Sequence, residues 1–372
     1  MMKYLFSILL WSYSFSCFAQ GQKQRPDLPA ALQTAVKTFM ADTSRVGISA
    51  GIYRAGKTYV YNAGTIEKHP RKEPTAATLY EIGSITKTFT GALLAQAVVD
   101  KKAKMDDDIR LYLHGSYPNL AYKGQPVQLY QLINHTSGLP FLLPNTLDLS
   151  RYPPDTIPYL VATQQKNYSK EAFLRDLHAV TLDTIPGTRF GYSNAASQLL
   201  GFLLENMYAS TYPQLLQQYI LRPAGMSNTV VSTDKKTATF ATGYNAKGVP
   251  MPYNPAIMLP AGGIYAGVAD MLHYLKFQLD EKNEIIRLSH QPTFGNANDF
   301  AVGLNWKMKK SPNGIRKIWQ SGGTFGFSSY CVIYPDLGVG IVLLSNQADR
   351  TAQGALETAA DFIFDSIGET GQ

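Results

Sequence analysis

Leu28, Leu32, Ala35, Val36 and Phe39 recur at helical spacing and predict a helix over residues 28–40. Two apolar runs follow, 46–53 and 57–63, separated by Ala55-Gly56, and predict a hairpin. The far end of the chain mirrors this order. Strand-like runs at 301–308, 315–320, 327–334 and 339–345 precede a helical pattern from about 352 to 367. Between the two ends the periodicity is mainly helical. Residues 141–160, rich in Pro, Leu, Asp and Tyr, read as a long loop over that helical part.

The pattern predicts an α/β fold of the α+β type: an antiparallel sheet built from both termini, flanked by helices and interrupted by a mainly helical insertion. The sheet part covers about residues 27–80 and 255–372, the helical part about 81–254. A cleft between two such parts is the natural place for chemistry. With 372 residues, 45% of them hydrophobic, the chain can build this core without staples.

The first residues change the picture at one end. Met1-Met2-Lys3, an apolar stretch from Tyr4 to Trp11, and Cys17-Phe18-Ala19 before Gln20 have the order of a secretory signal peptide over residues 1–19, leaving a domain of 20–372. The apolar part is shorter than the roughly 20 residues of a membrane span. A lipid anchor on Cys17 is the rival reading, but Ser14-Phe15-Ser16 suits it poorly. Removal of Cys17 leaves Cys331 alone, so no intramolecular disulfide is expected. The expected product is an exported protein, periplasmic or secreted, with no stable membrane span, acting as a monomer.

The net charge of +7 raises nucleic acid as a partner, but Lys and Arg are scattered and their clusters are only pairs such as Lys101-Lys102 and Lys309-Lys310. No nucleic-acid partner is expected. His69, His114, His178, His273 and His290 lack metal-ligand spacing, Asp106-Asp107-Asp108 lacks the rest of a calcium loop, and no Gly-rich phosphate loop occurs. Neither metal nor cofactor is expected. His135 reads as a turn residue and Cys331 as a core strand residue.

Three segments carry candidate chemistry. Glu81-Ile82-Gly83-Ser84-Ile85-Thr86-Lys87 opens an apolar helix, so Lys87 lies one turn from Ser84 on the same face. Burial would lower the proton affinity of Lys87 and let it accept a proton, while the helix start favours negative charge on Ser84. Pro186-Gly187-Thr188 leads to Tyr192-Ser193-Asn194, just before a helix over 195–207. Trp319-Gln320-Ser321-Gly322-Gly323-Thr324 carries a strand into a Gly-rich bend. Each pattern is weak alone: Ser-x-x-Lys recurs at Ser232 and Lys235, and Tyr-x-Asn at Tyr117 and Asn119.

In this order and context the three segments resemble the motifs of class C β-lactamases and related serine hydrolases of the penicillin-binding protein superfamily. Residues 132–140, 222–226 and 261–265 fit the same pattern. The resemblance implies a β-lactamase/transpeptidase-like fold, with Ser84 as nucleophile, Lys87 as its proton partner, Tyr192 as general base and acid, and Asn194 on the substrate amide. Gln320, Ser321, Gly322 and Gly323 would line the substrate, and the amides of Ser84 and Gly323 would form the oxyanion hole.

The chain departs from that pattern at Gln320, where the family has Lys or His. Neutral glutamine is expected to weaken carboxylate binding, and Phe141-Leu142-Leu143 to make the cleft more apolar. The expected function is a serine hydrolase forming an acyl-enzyme on β-lactam or D-alanyl-D-alanine-type amides. A β-lactamase-like carboxylesterase and a non-catalytic penicillin-binding sensor are the alternatives.

Overall fold

The computed structural model describes residues 27–232 and 238–367. The predicted leader, Cys17 and Lys235 lie outside the described residues. Helix α1 (Leu28–Met40) starts where Asp27 accepts a hydrogen bond from the Ala30 amide at 2.9 Å, which satisfies a free helix-end donor. Its buried face is Ala31, Leu32, Ala35, Val36 and Phe39. Strands β1 (Gly47–Arg54) and β2 (Lys57–Gly64) form the expected hairpin, with Ala55 and Gly56 both at positive φ in the turn.

The other main strands are β3 (Phe294–Asn296), β4 (Phe300–Val302), β5 (Lys307–Lys310), β6 (Arg316–Gly323), β7 (Ser328–Tyr334) and β8 (Val339–Ser345). They join β1 and β2 in an antiparallel sheet ordered β2-β1-β8-β7-β6-β5-β4-β3. The amino-terminal strand thus pairs with the last one, Ile48 opposite Ser345 and Ile52 opposite Ile341. Alternation along β8 divides the core. Ile341 and Leu343 face a layer with Leu32, Val36, Leu356 and Ile363, from α1 and the closing helix Ala352–Ile367. Val342 and Leu344 face the main core with Met271, Leu272 and Leu275.

Two expectations are corrected. The single run over 301–308 is two short strands, because Asn305 takes φ +64° between them and turns the chain. The stretch over 141–160 is not loop throughout: a short turn at Leu149–Arg151 leads to the helix Ile157–Gln165, with Pro158 in its first turn, where a missing N–H costs nothing. Leu142 and Val161 join Met258 and Ala261 in a small apolar cluster of their own.

The second Tyr-x-Asn is structural. The Tyr117 ring stacks on His178 at 4.0 Å, and Asn119 Nδ2 donates to the carbonyls of Leu177 and Val180. Cys331 is fully buried at the centre of β7, and burial pushes its thiol up to about 12. Among the described residues no helix is long and apolar enough to cross a membrane.

Candidate active site

Ser84 sits in a tight turn, Gly83–Ile85, that runs directly into helix α2 (Thr86–Val99). This turn is pressed against the end of β6, and two glycines permit the approach. A Cβ on Gly322 would fall 2.1 Å from the Ile82 carbonyl oxygen, and one on Gly83, at φ +52°, would fall 2.7 Å from the Gly323 nitrogen. The Gly323 amide is thereby set beside the turn that bears Ser84. Ser329, opposite Gly322 in the next strand, fastens the same turn by donating to the Ile82 carbonyl at 2.8 Å.

Lys87 is completely buried, and its Nζ reaches three acceptors: Ser84 Oγ at 3.1 Å, Asn194 Oδ1 at 2.8 Å and the Ala261 carbonyl at 2.6 Å. Burial lowers its proton affinity, and Tyr192 opposes that shift. Asn194 Oδ1 and the Ala261 carbonyl can only accept, whereas the Ser84 hydroxyl can accept from an ammonium or donate to a neutral amine. The arrangement therefore accommodates Lys87 as donor to Ser84 or as acceptor of its proton. Ser84 Oγ also meets the Tyr192 hydroxyl, 2.5 Å away, and either oxygen can donate.

Tyr192 and Asn194 flank Ser193, which caps helix α3 (Asn194–Tyr208) by accepting from the Ala196 amide at 2.9 Å and donates to the Pro140 carbonyl at 2.6 Å. The Asn194 amide is held by the Phe141 carbonyl at 2.8 Å. The loop at 140–141 thus fixes where the Tyr-x-Asn segment enters its helix. The Lys87 ammonium lies 4.9 Å from the Tyr192 ring centre.

Gln320 does not stand open to the cleft. It is 3% exposed, its Nε2 donates to the Asn305 carbonyl at 2.5 Å, and its Oε1 accepts from the Ser321 amide. Its expected substrate contact is replaced by an internal one. Ser321 is half-buried, Gly322 is buried against Ile82, and Gly323 is exposed at the strand end.

Sequence reasoning missed Lys307 and Asn305. Half-buried Lys307, on the strand next to β6 and paired with Trp319, interacts with Tyr192 and His135 through its charge. Burial lowers its proton affinity, and no hydrogen bond or ion pair engages its ammonium among the described residues. Glu357, on the closing helix, also acts on its charge. The signal was hidden because Lys307 belongs to another strand, thirteen residues before Gln320 in the chain.

The cleft rim is aromatic. Phe141, 55% exposed, lies 6.2 Å from the Tyr192 ring, and exposed Phe190 meets the His135 ring edge-on at 5.8 Å between centres. Leu142 and Leu143, expected to line the cleft, turn into apolar clusters instead, because Leu142 packs with Val161 and Leu143 joins the main core. Arg350 is exposed, on a cavity it shares with Phe325 and Met251. Among the described residues no cluster of three or more His, Cys, Asp or Glu is gathered as metal donors would be.

A family model described as Beta-lactamase matches residues 32–364. A relative named beta-lactamase from Pseudomonas fluorescens is 25% identical over 360 residues, covering 86% of this chain and 94% of that protein. Protein flp of Staphylococcus aureus is 27% identical over 314 residues, which cover 81% of this chain but only 59% of that longer protein. Among solved structures, a class C β-lactamase superposes with a TM-score of 0.77 at 22% identity, over 94% of this chain and 99% of that one. That last likeness establishes the fold.

Proposed function

This chain belongs to the beta-lactamase family, and on that footing we propose that it is a serine hydrolase which forms an acyl-enzyme on Ser84 and acts on β-lactam or D-alanyl-D-alanine-type amides. The observation that carries the reading is the contact of Ser84 Oγ with both Lys87 Nζ and the Tyr192 hydroxyl.

In the proposed reaction Tyr192 serves as the general base and takes the Ser84 proton while Oγ attacks the acyl carbon. The amides of Ser84 and Gly323 hold the carbonyl oxygen as it becomes negative. Losing one such donor typically costs about 2.7 to 4 kcal/mol of transition-state stabilisation. Tyr192 returns the proton to the leaving nitrogen, the C–N bond breaks, and an ester on Ser84 remains. Water then adds to that ester, with Tyr192 taking its proton and passing it to Ser84 Oγ as the acid leaves. Lys87 orients Ser84 and Asn194.

Lys307 supports a carboxylate-bearing substrate, since its charge reaches Tyr192 and no hydrogen bond or ion pair engages its ammonium among the described residues, although Glu357 shares its field. The second reading, a carboxylesterase, is favoured by two observations: Gln320 is uncharged and internally bonded, and Phe141 presents an apolar rim. The intact contacts of Ser84 argue against a non-catalytic sensor. We further propose, from the amino-terminal pattern, export to the periplasm and action as a monomer. Purified protein assayed in parallel on a chromogenic cephalosporin and a short-chain nitrophenyl ester tests the choice between amide and ester.

A further inference from the structure

The chain reverses at Asn305, a fully buried residue that holds φ +64° although it is not glycine. A buried asparagine in this conformation leaves its amide to be satisfied by specific partners. Its Nδ2 donates to the Ser84 carbonyl at 3.4 Å, its Oδ1 meets His135 Nε2 at 2.9 Å, and its main-chain oxygen accepts from Gln320. The same residue therefore touches the nucleophile's turn, a histidine against the base, and the strand of the third motif.

The direction of these bonds follows from chemistry. Asn305 Oδ1 can only accept, so His135 carries its proton on Nε2. Its Nδ1 is then an acceptor, and it meets the Ser193 amide at 3.3 Å. A neutral ring is required for this, and burial, helped by the charges of Lys87 and Lys307, pushes His135 down to about 3. The His135 ring packs against Tyr192 at 4.3 Å between centres.

We infer that Asn305 is a positioning residue for acyl transfer, holding Ser84 and Tyr192 in register through a relay from the Ser84 carbonyl to Asn305, His135 and the Ser193 amide. The inference rests on Ser84 and Tyr192 being nucleophile and base. It also gives Gln320 a meaning: a neutral amide there can donate to the Asn305 carbonyl without adding a charge next to neutral His135. Gln320 belongs to the scaffold of the relay and not to substrate recognition.

The test compares wild type with Asn305→Gly and Asn305→Asp. Glycine is at ease at positive φ, so Asn305→Gly deletes the side-chain bridge while sparing the turn. Aspartate keeps the size and the acceptor for His135 but loses the donor to Ser84. The readouts are the rate of Ser84 labelling by a fluorophosphonate, its pH profile, and the melting temperature. Expected are labelling slowed roughly tenfold or more in both variants, a melting temperature of Asn305→Gly lowered by the loss of the His135 acceptor but still well above the assay temperature, and a new step in the Asn305→Asp pH profile as the carboxylate draws a proton onto His135. Labelling of either folded variant within about twofold of wild type overturns the inference. Wild-type protein that is not labelled at all overturns instead the assignment of Ser84.

Discussion

Lys307 pairs across the sheet with Trp319, the residue before Gln320, although the two lie twelve residues apart in the chain. Trp319 packs in the layer under the closing helix, and Glu357 on that helix acts on the charge of Lys307 together with Tyr192. A half-buried ammonium without an ion pair keeps more of its field than an exposed one.

Replacing Lys307 by methionine keeps the packing of its stem and removes that field. Turnover of a cephalosporin should fall more than that of a neutral ester, because only the former also loses a partner for its carboxylate. With a charged hydrogen bond worth about 1.5 to 3 kcal/mol, the difference should be roughly tenfold or more. Equal loss on both substrates would leave Lys307 with the base alone, and no loss would remove it from the site.

Much of this arrangement was legible in the residues. Helical spacing located α1, the nucleophile helix and the closing helix, and the Ala55-Gly56 turn located the first hairpin, since these signals are local. Ser84, Lys87, Tyr192 and Asn194 meet as their motifs implied. What stayed hidden depends on contacts between distant segments. Asn305 looks like one polar residue in an apolar run until its left-handed backbone splits that run, and Lys307 looks like one of many scattered lysines until strand pairing sets it beside β6. Leu142 and Leu143 were misread because no periodicity over so short a stretch says which way a loop side chain turns.

Glu81, three residues before Ser84, makes stability depend on pH. Its carboxyl is buried, accepts from the Asn254 amide at 2.6 Å and the Tyr265 hydroxyl at 3.2 Å, and is raised by burial to about 7. The folded protein holds this proton when the unfolded chain has released it. Stability from this group is therefore complete below about pH 4.5 and is lost as pH rises towards 7. Glu81→Gln should remove that slope. Denaturant unfolding at several pH values should show the variant gaining on wild type between pH 5 and 7.5, by up to about 3 kcal/mol. Parallel curves for the two proteins would contradict this.

Gln320→Lys should cost stability and bring little specificity. The new ammonium can still donate to the Asn305 carbonyl, but it leaves the Ser321 amide without its acceptor and adds a buried charge, at a cost of roughly 1 to 3 kcal/mol. The ratio of cephalosporin to ester turnover should stay within about threefold, a change of well under 1 kcal/mol, because Lys307 already serves the site. A larger rise in that ratio would show position 320 reading the carboxylate after all.

Export predicts a shorter chain. Expression in a Gram-negative host followed by intact-mass measurement should find a protein beginning at Gln20. Retention of Met1 would refute the leader, and added lipid mass on Cys17 would favour the anchored form.

The central claim is that Ser84 becomes acylated, and direct detection of the adduct tests it. Wild type, Ser84→Ala and Tyr192→Phe are each incubated with a fluorescent penicillin and with a fluorophosphonate, digested, and read by peptide mass spectrometry. The account predicts an adduct on the peptide bearing Ser84 in wild type, a rate lower by about a hundredfold in Tyr192→Phe through loss of the general base, and none in Ser84→Ala. Equal labelling of Ser84→Ala, or an adduct on another residue, would contradict it.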